Sequence, residues 1–144
     1  MESVGGAPGL PEILIIAVIF LVAAVIYGVK GLLFYKLLAG CPEEHRTMKP
    51  GMAWLVCIPC FEVVWNFVLV LALADSYKAY FDAQGDTEVG SCGRGLGIGY
   101  AIAAIMTAIP YANLCAGPVT LVLFILYLVK MFELRGRALR APNA

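Results

Sequence analysis

Charge is what this chain has least of. Of 144 residues, Asp, Glu, Lys and Arg make up 14% and the hydrophobic set 62%, with a mean hydropathy of +0.88. A water-soluble domain is about 25% charged and about 45–50% apolar, so this composition does not describe one. The few charges cancel, ten basic against ten acidic, and no net field remains to collect an anionic substrate. No basic patch interleaved with aromatics occurs, which sets nucleic-acid binding aside. Histidine is reduced to His45, in a polar link beside Cys41, Glu43 and Glu44. Pro42 and the lack of a second ligand cluster make that link a poor metal site, and no cofactor is implied.

What the chain does have is long uncharged runs. A helix needs ~20 mostly apolar residues to cross ~30 Å of hydrocarbon, and four stretches reach or approach that length: about 13–38, 51–74, 95–111 and 119–134. Open sheets cannot cross lipid, and four continuous segments are too few for a barrel. The predicted fold is all-α, a single polytopic domain over 1–144 forming a four-helix transmembrane bundle. The leader carries Glu2 and Glu12 and no basic residue; a secretory signal starts with a basic region, so the first span is expected to stay in the membrane. Lys30 and Lys36 fall in its second half, where long stems snorkel to the headgroups. Asp75 to Asp82 is amphipathic enough to continue the second helix into the interface.

Four alternating spans would put both termini on one side, together with the link 75–94. That side would hold six of the ten basic residues, which the positive-inside rule assigns to the cytoplasm. The link 40–50, with Cys41 and Cys115, would then face the opposite side, and Cys92 would be apart from them.

Few residues offer chemistry. Glu62 sits inside an uncharged run, where a carboxylate is costly and marks a candidate functional site. Asn66 lies one turn on, on the same face, and can hydrogen-bond to Glu62; Trp65 lies beside both. Ionised, Glu62 needs a cation or water and could serve a proton or ion pathway. Neutral, it is a bonded structural group. A third reading restarts the helix at Pro59, making the preceding segment interfacial and placing Glu62 in a first turn, where the dipole favours an anion.

Cys57 and Cys60 form a C-x-x-C pair of the kind thiol–disulfide oxidoreductases use, with Cys41 and Cys115 expected near the same end. Gly95, Gly99, Ala103 and Thr107 make an i, i+4 stripe of small residues that would let another helix approach. Ile58-Pro59 and Ile109-Pro110, each about ten residues after a glycine, hint at an internal repeat.

The stretch Arg46-Thr-Met-Lys-Pro-Gly-Met-Ala-Trp-Leu-Val-Cys-Ile-Pro-Cys-Phe-Glu-Val-Val-Trp-Asn-Phe67 resembles the R-x-M-x-P-G-x-x-W-L-x-x-I-P-x-F-x-x-x-W-x-F core of a group of bacterial multi-span proteins. That resemblance implies a bacterial inner-membrane protein and carries no activity with it. The expected partners are the bilayer and a second copy or another membrane protein. The leading expectation is a non-enzymatic subunit of a larger membrane complex, with an ion pathway through Glu62 or a thiol–disulfide oxidoreductase as alternatives.

Overall fold

The computed structural model describes residues 8–140, so Glu2 of the leader and the last four residues lie outside it. Among the described residues there are four α-helices and no strand: α1 Leu10–Ala39, α2 Pro59–Ala83, α3 Arg94–Met106 and α4 Asn113–Arg140. Two 3-10 helices, Glu43–His45 and Pro50–Cys57, lie between α1 and α2. Three helices, Leu10–Ala39, Cys60–Ala83 and Asn113–Arg140, are long and apolar enough to cross a membrane. The chain is an all-α integral membrane protein. With 13 residues, α3 reaches only about 20 Å at 1.5 Å per residue.

The second apolar run is not one helix. Ile58 takes an extended conformation (φ −86°, ψ 110°), as steric conflict with a following proline ring requires. Pro59 then opens α2, where its missing N–H costs nothing. The segment Pro50–Cys57 descends along α1, with Trp54 against Gly31 and the Cys57 thiol donating to the carbonyl of Tyr27 at 3.5 Å. The chain reverses at Ile58 and climbs back as α2. The expected span over 51–74 is therefore a short descending arm followed by a helix that runs to Ala83.

That reversal overturns the alternation of four spans. Contacts between α1 and α4 rise together along both helices: Lys30 meets Phe124, Phe34 meets Tyr127, and Gly40 meets Arg135. Between α1 and α2 the same holds, with Lys30 at Glu62 and Leu37 at Tyr77. Thus α1, α2 and α4 run parallel, and only α3 opposes them, with Arg94 at Asp75 and Gly97 at Val70. The N-terminal end of α1 and the C-terminal end of α4 lie at opposite ends of the molecule. Two hairpins result, each a descending segment and an ascending helix, and each turns at an Ile-Pro pair.

The polar link therefore joins the other charged segments instead of opposing them. The Thr47 hydroxyl lies 2.8 Å from that of Ser76 and donates to the carbonyl of Ala72 at 2.9 Å, and the His45 ring packs edge-on to Tyr80. Of the ten basic residues, only Lys30 lies away from this end. Here the helices close on a core of Phe34, Leu37, Leu73, Tyr77, Tyr127 and Leu134. Tyr77 donates its hydroxyl to the carbonyl of Leu37 at 2.7 Å and Tyr80 donates to that of Ala138 at 3.2 Å. Both acceptors belong to a last helical turn, whose carbonyls have no amide partner within the helix.

The opposite end is open. The apolar side chains of α1 from Leu10 to Ile26 are exposed almost all round, and α4 shows Val119, Leu121 and Val122 on its surface. Pro118 falls inside α4, which starts at Asn113, before the apolar run expected over 119–134.

Candidate functional site

Glu62 lies in the first turn of α2 because Pro59 starts the helix there. Its carboxylate accepts from the Lys30 ammonium at 2.5 Å, with 13% of the Lys30 side chain and 19% of the Glu62 side chain exposed. Nine residues separate Lys30 from the end of α1, a depth of about 13 Å along the helix. The lysine therefore does not snorkel to the surface as its position suggested; it is held at depth by its counter-ion. Its ammonium also lies 5.7 Å from the centre of the Tyr100 ring and 6.0 Å from that of Phe124, where aromatic faces attract a cation. The helix dipole at the start of α2 adds to the stabilisation of the carboxylate.

The pair was half legible. Glu62 stands alone in its uncharged run, and Lys30 lies in a different one. Each is the only charge deep in its apolar segment, and their opposite signs were the signal that could have joined them.

The residues expected around Glu62 separate in the structure. Trp65 donates its indole N–H to the carbonyl of Met52 at 2.9 Å and stacks on Phe61 at 5.2 Å between ring centres, fastening the descending arm to α2. Asn66 is only 1% exposed, yet neither of its amide atoms has a partner among the described residues. The Glu62–Asn66 bond that the spacing allows is not made among the described residues, and Glu62 pairs with Lys30 instead.

The cysteines do not form one cluster. Cys41 and Cys92, expected on opposite sides, share the core of the packed end, while Cys115 is exposed near the start of α4 at the other end. Cys57 is half-buried against α1 and Cys60 is exposed. Burial pushes the Cys41 thiol up to about 11 and raises that of Cys92 as well, so both stay protonated and poorly nucleophilic near neutral pH.

The close approach falls two residues from the expected glycines, on the opposite face of α3. A side chain at Gly95 or Gly99 would meet nothing within 4 Å, and Gly95 is exposed. Ala103 is buried, and Thr107 turns its hydroxyl back to the carbonyl of Ala104 at 2.6 Å. The close approach is made instead by Gly97, where an added Cβ would overlap Val70 and come within 2.9 Å of the Tyr127 ring. Three equally spaced glycines left the choice of face undetermined from sequence.

Compared with known protein families, with curated proteins and with solved structures, the chain matches none.

Proposed function

We propose that this integral membrane protein works through assembly, as a subunit or partner of a membrane complex, seated in a bacterial inner membrane. The observation that carries this reading is the open space over Gly95 and Gly99 on α3, beside apolar helix surfaces that nothing among the described residues covers. Small residues let a second helix approach closely enough for packing in lipid, where the hydrophobic effect gives no drive to association. The internal pairing of Glu62 with Lys30 favours the same reading, since the carboxylate needs no mobile cation to balance it. The likeness of the Arg46–Phe67 core to bacterial multi-span proteins supports the location.

Orientation follows from charge. With every basic residue but Lys30 at the packed end, the positive-inside rule puts that end in the cytoplasm and the start of α1 across the membrane. Reporters inserted after Thr47 and after Asp86 should both be cytoplasmic; opposite locations would sink the hairpin topology.

Assembly is tested in nanodiscs of native lipid. The wild type should run as a species larger than one chain, by itself or with a membrane partner, and Gly99→Leu should return it to a single chain with an unchanged melting profile. A wild-type protein that is a single chain under these conditions would end the proposal.

A further inference from the structure

Gly40 closes α1 with φ −75° and ψ −14°, a right-handed conformation open to any residue, so the turn itself does not call for glycine. Space does. A Cβ there would fall 2.6 to 2.8 Å from Nε, Cγ and Cδ of Arg135, whose stem crosses from α4 onto the end of α1. Arg46 arrives at the next residue from the polar link and donates to the carbonyl of Cys41 at 2.7 Å. Both guanidinium charges also act on the buried Tyr77 hydroxyl, which bonds to the carbonyl of Leu37 in the same helix end. Two cations from separate elements thus gather at one helix end. Beside them lies a cleft of about 440 Å³, lined in part by Gly40, His45, Arg46 and Gln84.

Neither arginine is satisfied within the chain. The Nε–H of each is buried and has no hydrogen-bond partner among the described residues, and such a loss is greater for a charged group. Arg46 keeps only 14% of its side chain exposed, while the carboxylate beside it, Glu43, stands 3.8 Å away with 91% of its own exposed. Arg135 makes no ion pair among the described residues, and the acid nearest to it in sequence, Glu133, is engaged by Lys130 and Arg137. The carbonyls at the end of α1 take up the one bond from Arg46 and leave both Nε donors over.

We infer that Arg46 and Arg135 together bind a phosphodiester. A guanidinium presents a planar fork of donors that matches a pair of phosphate oxygens, and the anion supplies the countercharge that the chain does not. Charge also sets the class. Glu43 and Glu44 share the rim of the cleft and offset part of the two positive charges, so a singly charged diester is favoured over a doubly charged monoester. Such a group comes either as a phospholipid headgroup or as a soluble glycerophosphodiester, and the arms of the experiment separate the two. The site is distant in sequence and fold from Gly95 and Gly99, so it stands or falls independently of the assembly reading.

The test uses full-length protein, delipidated in detergent, with binding read by native mass spectrometry. Three probes are titrated: dioleoylphosphatidylglycerol; dioleoylglycerol, which has the chains without the phosphate; and glycerophosphoglycerol, which has the phosphodiester without the chains. Phosphatidylglycerol should saturate at one molecule per chain, and dioleoylglycerol should not compete with it. Arg135→Gln should weaken binding about tenfold, equivalent to about 1.4 kcal/mol. Gly40→Ala should do the same, because its methyl displaces the Arg135 stem while leaving the charge in the protein. Arg137→Gln removes an exposed cation already paired with Glu133 and should leave binding unchanged. Glycerophosphoglycerol bound as tightly as the lipid would support the site and make the soluble diester its ligand; weaker binding would support it and make the headgroup its ligand. Binding unaltered by Arg135→Gln and Gly40→Ala, or weakened equally by Arg137→Gln, would overturn the site and leave general charge attraction. Tighter binding of dioleoylphosphatidic acid in its dianionic form would overturn the diester assignment.

Discussion

At one end of this molecule Tyr77, Tyr127 and Leu134 are wholly buried, tyrosine hydroxyls close onto backbone carbonyls, and charged residues surround the core. At the other, Leu10 is 79% exposed and Tyr111 96%, and α1 and α4 present apolar side chains outward. The first end is built as a water-soluble domain is, with apolar groups withdrawn from a polar surround. The second has no such gain to make, because lipid solvates a leucine as well as another leucine does. Stability should therefore concentrate at the packed end, and contacts with lipid or other proteins at the open one. Lys30 and Glu62 sit at the boundary, and there the contrast can be tested most severely.

Breaking that boundary pair should have the largest effect. Lys30→Ala leaves Glu62 without its counter-ion, and loss of one partner from a buried pair costs about 3–5 kcal/mol. With part of each side chain still exposed, about 3 kcal/mol is expected in a detergent denaturation series. Lys30→Met with Glu62→Met removes both charges and should restore most of the loss, since apolar replacement of a whole buried pair is often neutral or stabilising. A double variant no more stable than the single one would show that the pair is not coupled.

The next contrast is between two glycines one half-turn apart. Gly97→Ala places a methyl against Val70 and Tyr127 in the packed region and should cost about 1–3 kcal/mol by overpacking. Gly99→Ala enters open space and should be neutral, or stabilising by up to about 1 kcal/mol through helix propensity. Equal melting shifts would mean that α3 is rotated from the face described.

These two tests also mark where the sequence was informative. Apolar runs fix that the chain is helical and membrane-embedded, because length and hydropathy are local properties. Pro59 carried the helix restart, and that reading was available beside the continuous one. The direction of the link 40–50 was not legible: whether eight residues before Pro59 cross the membrane or fold back depends on contacts such as Trp65 with Met52 and Trp54 with Gly31. The expected placement of the start of α1 beside the end of α4, and the separation of Cys41 from Cys92, both rested on that direction. The Lys30–Glu62 pair was missed for a related reason, since a partner in a different helix leaves no periodic trace.

Asn66 offers a smaller effect of opposite sign. Its amide is buried with neither atom bonded among the described residues, and an unsatisfied buried polar group costs about 1–3 kcal/mol. Asn66→Leu should raise stability by about 1 kcal/mol, after allowance for imperfect packing of the branched chain. Destabilisation in chemical denaturation would show that the amide serves a partner outside the chain.

The smallest contrast sets one tyrosine hydroxyl against another. Tyr77→Phe keeps the ring in the core and removes only the O–H that donates to the Leu37 carbonyl. That carbonyl lies in the final turn of α1 and is buried with its helix end, so it loses its partner and gains no water. A net loss of about 0.5–1.5 kcal/mol is expected for one such bond. Tyr111→Phe makes the same chemical change at the open end, where the side chain is exposed and belongs to no helix, and should leave the denaturation midpoint unmoved. Equal shifts in the two variants would break the division between the ends, because the same hydroxyl would then be worth the same wherever it sat. A shift at Tyr77 alone places the stability of the fold in its packed core.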